Sequence, residues 1–330
     1  MRLLVLGGTI FLGRHVIDAA LAAGHEVTMA NRGRTNADLY PDVAKLVVDR
    51  DGDISALSSG EWDAVIDTCG YVAAHTRSVA LALADRVGHY TFVSSVSVYS
   101  DVSTPGTDVD GPLATTADPE APEVTNENYG ALKAVCEQIV RDVYVDRACI
   151  VRPGLIVGPY DPSDRFTYWP RRFDLGGEAV VPAWRDMPVQ LADARDLGEW
   201  MVRLAEDKTS GTFNGCGPLV PWRLEEMIDA CFRAAGDNAA TPVYVDERFL
   251  LEHEVAPWGE LPVWLPSGSE VAGMLAVDVQ RSVDAGLTFR SIDAVVADTL
   301  KWDRTRRDQP LRGPLAAEKE ADVLAKWKAR

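Results

Sequence analysis

Over the first 150 residues, short apolar and β-branched runs alternate with longer segments rich in alanine and leucine. LLVLG (3–7), EVTMA (26–30), KLVVD (45–49), DAVIDT (63–68), YTFVSS (90–95) and ACIVRP (148–153) read as strands. Between them, FLGRHVIDAALAAG (11–24) reads as a helix closed by Gly24, and AAHTRSVALALAD (73–85) as a second helix. YGALKAVCEQIVRDVY (129–144) carries Leu132, Val135, Ile139 and Val143 at helical spacing, so that face should pack on a sheet. Strands that alternate with helices in this way predict βαβ units and a parallel sheet. The expected class is α/β, a Rossmann-type doubly wound parallel sheet over residues 1–157 with a smaller C-terminal substrate lobe.

Past Pro153 the texture changes. Proline, glycine, tryptophan and arginine become frequent and regular alternation stops between residues 158 and 188, which suits a substrate-covering segment. PVQLADARDLGEWMVRLAED (188–207) resumes a strand and a helix, so 186–212 should return to the main sheet. Residues 158–185 and 213–302 are assigned to the substrate lobe, and 303–330 to an exposed tail with a terminal helix.

Composition narrows the function. With 330 residues, 47% hydrophobic and 25% charged, the chain is long enough for a large core and has no apolar run near the length of a membrane span. No secretory signal is evident, so a cytoplasmic enzyme is expected. The five cysteines, Cys69, Cys136, Cys149, Cys216 and Cys231, lack metal-ligand spacing and read as free buried thiols, with no metal site. A formal charge of −17 repels nucleic acid and anionic membranes, so a small molecule is the expected partner.

The first strand runs into GGTIFLG (7–13). Gly7, Gly8 and Gly13 fit a dinucleotide turn, in which one glycine allows the tight bend and the last allows close packing of helix on strand. Ile10 stands where the middle glycine is usual. The turn residues Thr9, Ile10, Phe11 and Leu12 would then border a pyrophosphate held at the start of the helix. An acidic residue at the end of the second strand would select NAD. ANRGRT (30–35) offers Asn31, Arg32 and Arg34 instead, which suit the 2′-phosphate of NADP, with NAD as the alternative.

Tyr129 and Lys133 lie four apart on one helical face. An adjacent ammonium would lower the phenol pKa, allowing Tyr129 to act as acid or base at an alcohol or ketone oxygen. Ser94 and Ser95 end the fifth strand at the edge where open α/β folds build their sites, and the Ser95 hydroxyl could reach the same oxygen. Ser97 is the weaker choice for that role.

With GGTIFLG, VVDRDGD, DTCG, SSVSVY, YGALK, RPGLIVGP and VQLADARDLGEW in this order, the chain resembles the extended short-chain dehydrogenases/reductases of the NAD(P)-dependent epimerase/dehydratase family over residues 1–215. Its first motif is closest to the branch that includes the chloroplast stem-loop-binding proteins, where the middle glycine is also replaced. The resemblance implies that Asp49 and Arg50 lie by the adenine and that Thr68, Cys69 and Gly70 line the cofactor. It further implies that Lys133 binds the nicotinamide ribose, that Pro153, Gly154 and Leu155 lie near the nicotinamide, and that Ser95, Tyr129 and Lys133 form the catalytic set. Homodimers are common in families of this kind.

Two departures restrict the chemistry. Dehydratases of the family carry Asp-Glu where this chain has Val96 and Ser97, which disfavours water elimination. The diphosphate-binding arginine of nucleotide-sugar enzymes has no aligned counterpart near Gln190, although Arg185 lies just before it. Tyr71, Ser97, Arg165, Tyr168, Trp169, Arg172 and Gln190 are the candidate substrate contacts, with Trp169 equally readable as core. The expected activity is hydride transfer between nicotinamide and a carbinol or ketone carbon, most readily as a net reductase. Sugar epimerisation by transient oxidation is the alternative, and an RNA-binding or cofactor-sensing protein is the alternative of another class.

Overall fold

The computed structural model describes all of residues 1–330. A seven-stranded parallel sheet forms its centre. It is built from β1 (Arg2–Leu6), β2 (Glu26–Asn31), β3 (Ala44–Val47), β4 (Ala64–Asp67), β5 (Tyr90–Val93), β6 (Ala148–Pro153) and a late strand at Gly211–Gly215, counted below as β10. The order across the sheet is β10-β6-β5-β4-β1-β2-β3, so the chain reverses direction beside β1 and opens a crevice at the carboxyl ends of β1 and β4.

The strands are buried on both faces. Leu3 and Val5 face the layer of α1 (Leu12–Ala22) and α5 (Ala194–Glu206). Leu4 and Leu6 face α2 (Ala73–Leu83) and α3 (Tyr129–Tyr144). All six strands expected before residue 154 form, and α3 has the expected limits. Its buried stripe, however, is Leu132, Cys136, Val140 and Tyr144, while Val135, Ile139 and Val143 are only half-buried. The helix is rotated because two charged side chains, Lys133 and Glu137, share its inner face. Glu137 forms a two-pronged ion pair with Arg152 of β6, at 2.8 and 2.7 Å. Arg152 also reaches Tyr99, which donates to Asn214 of β10, so one buried network sets the angle of α3 against the sheet.

The smaller lobe has its own core. It contains β7 (Ile156–Val157), α4 (Tyr168–Asp174), β8 (Glu178–Pro182), β9 (Pro188–Asp193), β11 (Gly217–Arg223), α6 (Leu224–Ala235), β12 (Thr241–Val245), α7 (Glu247–Glu252) and α9 (Ile292–Arg304). Between the last two, the short α8 (Gln280–Asp284) follows Val277 and Val279, which pack back into the core under the main sheet.

Two expectations are corrected here. Residues 186–212 do lead back to the main sheet through α5, but β9 itself joins β7 and β11 in a separate three-stranded sheet, and the returning strand is β10. The last residues are no exposed tail. α10 (Ala317–Lys328) lies against β8, with buried Glu320 accepting from Val180 N at 2.9 Å and from Arg172 Nε at 2.7 Å. The five cysteines are free, four of them buried and Cys69 partly so. No helix is long and apolar enough to cross a membrane.

Candidate active site

The turn after β1 is shaped by what its glycines leave out. Gly7 and Gly8 have φ of +111° and +100°, a region L side chains rarely adopt. At Gly13 a Cβ would stand 2.5 Å from the Gly8 nitrogen, so only a glycine lets the first turn of α1 close on the loop. Phe11 precedes α1 without a side-chain cap, leaving the first N–H groups of the helix free for an anion. Ile10, at the position of the absent glycine, is 52% exposed and lies on the rim, so its side chain does not fill the cradle.

This turn opens a cleft of about 620 Å³ along the carboxyl edge of the sheet. Thr9, Ile10, Phe11, Leu12, Asn31, Arg32, Arg34, Asp49, Arg50, Thr68, Cys69, Tyr71, Ser94, Tyr129 and Lys133 all border it, as do the three turn glycines. Asn31 ties the end of β2 to the turn by donating to Gly7 O at 2.9 Å, and its side-chain oxygen accepts from Gly33 N. Thr68 fixes the end of β4 by donating to Leu6 O at 2.8 Å. Arg50 donates to buried Asp67 at 2.7 Å, and its other terminal nitrogen, also buried, has no partner. Burial would push the Asp67 carboxyl up, but Arg50 and the Tyr90 hydroxyl outweigh it and hold it low.

Tyr129 and Lys133 line the cleft, and Ser95 lies buried next to the lining residue Ser94. Ser95 caps the short turn 96–98, accepting from Ser97 N at 3.1 Å and donating to Ser97 Oγ at 3.1 Å. Its hydroxyl lies beside the Tyr129 phenol and pulls the phenol pKa down. Lys133 is buried at 2% exposure, and its ammonium donates to Gly70 O and Val93 O at 2.6 Å each. One of its three donors is left over. Tyr71, 47% exposed, lies with its ring 5.2 Å from that ammonium.

The electrostatics differ from the expectation in one respect. Burial pushes the Tyr129 phenol above its usual range despite the opposing pull of Ser95 and Arg165, and Lys133 does not lower it. The ammonium is instead directed at two carbonyls, and burial brings its own pKa down to about 8.

Among the remaining candidates, Gly70 backs onto Phe92, where a Cβ would approach to 2.5 Å. Pro153 and Leu155 are buried and Gly154 packs on Cys216, so the cleft wall in this stretch is Ile156. Arg165 is exposed, with its guanidinium 5.7 Å from the Trp258 ring centre, and its charge reaches the Tyr129 phenol.

Five candidate contacts are structural. Trp169 is fully buried and donates to Pro262 O at 2.7 Å, and Tyr168 is buried beside it. Gln190 clamps β9 to the loop before α8 through Val277 N, Val277 O and Pro218 O. Arg172 is occupied by Glu320 and the Gly176 and Glu178 carbonyls. Arg185 pairs with Glu225 and stacks on Tyr244.

Sequence reasoning missed Thr35, Asp51, His75 and Pro162 on the cleft wall, and above all Gly130. A Cβ at Gly130 would fall 1.9 Å from Ser97 O, so this glycine lets the first turn of α3 touch the 96–98 turn and brings Tyr129 to Ser95. A glycine one residue into a helix was the available signal.

Comparison with known proteins follows the same lines. Residues 3–215 match the model of the NAD dependent epimerase/dehydratase family. The 2′-dehydrokanamycin reductase of Streptomyces kanamyceticus is 32% identical over 264 residues, covering 76% of this chain and 71% of that protein. The chloroplast stem-loop binding protein of 41 kDa b of Arabidopsis thaliana is 26% identical over 255 residues, 71% of this chain. The aligned part spans 63% of that plant protein, under two thirds of its length. Among solved structures, the Bordetella bronchiseptica enzyme WbmH in complex with NAD+ superposes with a TM-score of 0.68 at 15% identity, covering 92% of this chain and 98% of that one. A human epimerase family protein with NADPH superposes at 0.61 and 20% identity, covering 91% and 99%. At these identities the structural likeness speaks for the fold.

Proposed function

The chain belongs to the NAD dependent epimerase/dehydratase family, and from that premise we propose that it is an NADP-using oxidoreductase that reduces a ketone on a small polar substrate. The observation that carries this reading is that Tyr129 and Lys133 line the cleft that the glycine turn opens, with Ser95 beside the Tyr129 phenol.

The residues present suit a dinucleotide. The glycine cradle leaves room for backbone to meet a pyrophosphate, and Arg50 keeps a buried nitrogen without a partner beside the same cleft. Bound there, a nicotinamide nucleotide supplies the hydride. Arg32 lines the cleft just past the end of β2 and makes no ion pair, and a 2′-phosphate bound there would give it one. Lys133, with one donor unoccupied, would hold a ribose hydroxyl and fix the nicotinamide end.

A phenol held above its ordinary pKa keeps its proton at neutral pH, so Tyr129 is suited to give a proton to a ketone oxygen. Ser95, anchored on Ser97 N, orients that oxygen and donates to it. Arg165, resting near Trp258, is an exposed charge that acts on the phenol and is the leading substrate contact. The Streptomyces reductase, at 32% identity, supports net reduction. Net charge opposes an RNA ligand.

The test is Tyr129→Phe, assayed for NADPH consumption against a panel of sugar and aromatic ketones. The rate should fall by about 10²- to 10⁴-fold while the NADPH dissociation constant changes by less than about twofold. Unchanged turnover would remove Tyr129 from the chemistry and the proposal with it.

A further inference from the structure

Three of the four basic side chains around the adenosine end of the cleft are each held by an aspartate. Arg50 is bound to Asp67 at 2.7 Å, His75 to Asp51 at 2.8 Å and Arg34 to Asp49 at 3.1 Å. Only Arg32 has no carboxylate within ion-pair distance. The Arg34 pair lies where the ends of β2 and β3 run side by side, with Asn31 opposite Val47 and Val48 N donating to Asn31 O at 2.9 Å. In a sheet of this kind that is where the adenosine ribose rests.

We propose that Asp49 sets the cofactor preference by holding Arg34 away from the 2′ position, so that Arg32 alone reads a 2′-phosphate. This rests on the reading that the cleft binds a nicotinamide nucleotide and favours NADP. Asp49 has a double effect. Its charge lines the same cleft as Arg32 and would repel a 2′-phosphate held there, and its Oδ2 accepts from Arg34, the one further arginine of the loop. The other carboxylate oxygen accepts from Asp51 N at 3.3 Å and shapes the turn. The pair is partly solvent-exposed, 68% on the Arg34 side chain and 30% on Asp49, so removing its charge shifts affinity modestly without unsettling the fold. Asp49 thereby keeps NAD acceptable at the end of β2, where residues 30–35 carry two arginines and no acidic residue.

Asp49→Asn separates these roles, because the amide oxygen can still accept from Asp51 N while the charge is gone. Dissociation constants for NADPH and NADH are measured on nucleotide-free protein by cofactor fluorescence. The variant should bind NADPH about 3- to 10-fold more tightly, with NADH changed by less than about twofold. Adding Arg34→Ala should abolish the gain. Equal weakening of both nucleotides would show that Asp49 serves the adenine instead and would overturn the proposal, as would a gain that survives the loss of Arg34. The underlying NADP preference is read separately from Arg32→Ala in the wild-type background, which should weaken NADPH far more than NADH. An unchanged ratio there defeats that preference without deciding what Asp49 does to Arg34.

Discussion

A lysine buried to this degree states its own cost. Burial brings Lys133 from an ordinary 10.5 down to about 8, and its ammonium is kept by two carbonyls, the aromatic faces of Phe92 and Tyr71 and the charges of Asp67 and Glu137. Between those pH values the unfolded chain still carries a proton that the folded chain has released. Unfolding therefore takes up a proton, and this group makes folded stability rise with pH across the window. Below it both states are charged and the cost of desolvation is complete. Lys133→Met should remove this rise. The difference in unfolding free energy, wild type minus variant, should climb by roughly 3 kcal/mol from about pH 8 to about pH 10.5. Taking the difference cancels the thiols and phenols that titrate nearby, and a flat difference in denaturant titrations would show that Lys133 is solvated. The tyrosine and lysine spacing was legible in the sequence, because i and i+4 share a helix face. Which way the ammonium points was not, since Gly70 O and Val93 O reach it from positions 63 and 40 residues earlier.

At the scale of elements, local patterning identified the six early strands and the limits of α3, where each segment's own composition decides its state. It failed wherever the outcome depends on a distant partner. The apolar stripe expected on α3 was turned aside by the buried Glu137 and Arg152 pair, a contact no helical periodicity contains. β9 has the alternation of a strand but pairs with β7 and β11, a choice set by which edges are free. Trp169 and Gln190, read as substrate contacts from their residue types, were placed inside the lobe by the same kind of distant packing. The position of Tyr129 depends on an approach of this kind, where α3 begins against the 96–98 turn through Gly130. Gly130→Ala should force the helix start off Ser97 O, lowering stability by about 1–3 kcal/mol in denaturant titrations. Turnover at a temperature well below melting should fall further than nucleotide binding does, because the phenol moves and the glycine turn at β1 stays. Equal loss of both would mean that the whole sheet edge had shifted.

The molecule as a whole is two packed bodies that divide the work. The glycine turn, the ends of β2 and β3 and the serine, tyrosine and lysine all stand on the parallel sheet, and the lobe adds Ile156 and Pro162 to the cleft wall and the charge of Arg165. The lobe has a separate core, closed by the residues that composition marked as an exposed tail. That reading failed because α10 is mostly polar, and what docks it is a buried carboxylate, Glu320, shared between Arg172 and Val180 N. Removing the carboxylate leaves a guanidinium that is 14% exposed and a buried N–H without a partner. Breaking a pair of this kind from one side is strongly destabilising, by about 3–5 kcal/mol. Glu320→Ala should therefore lower the denaturation midpoint sharply, while the NADPH dissociation constant measured in the native range stays at the wild-type value. That split follows only if the nucleotide site rests on the sheet core alone. A matching loss of cofactor affinity would show that the lobe core holds the cleft open, and that the two bodies fold and bind as one.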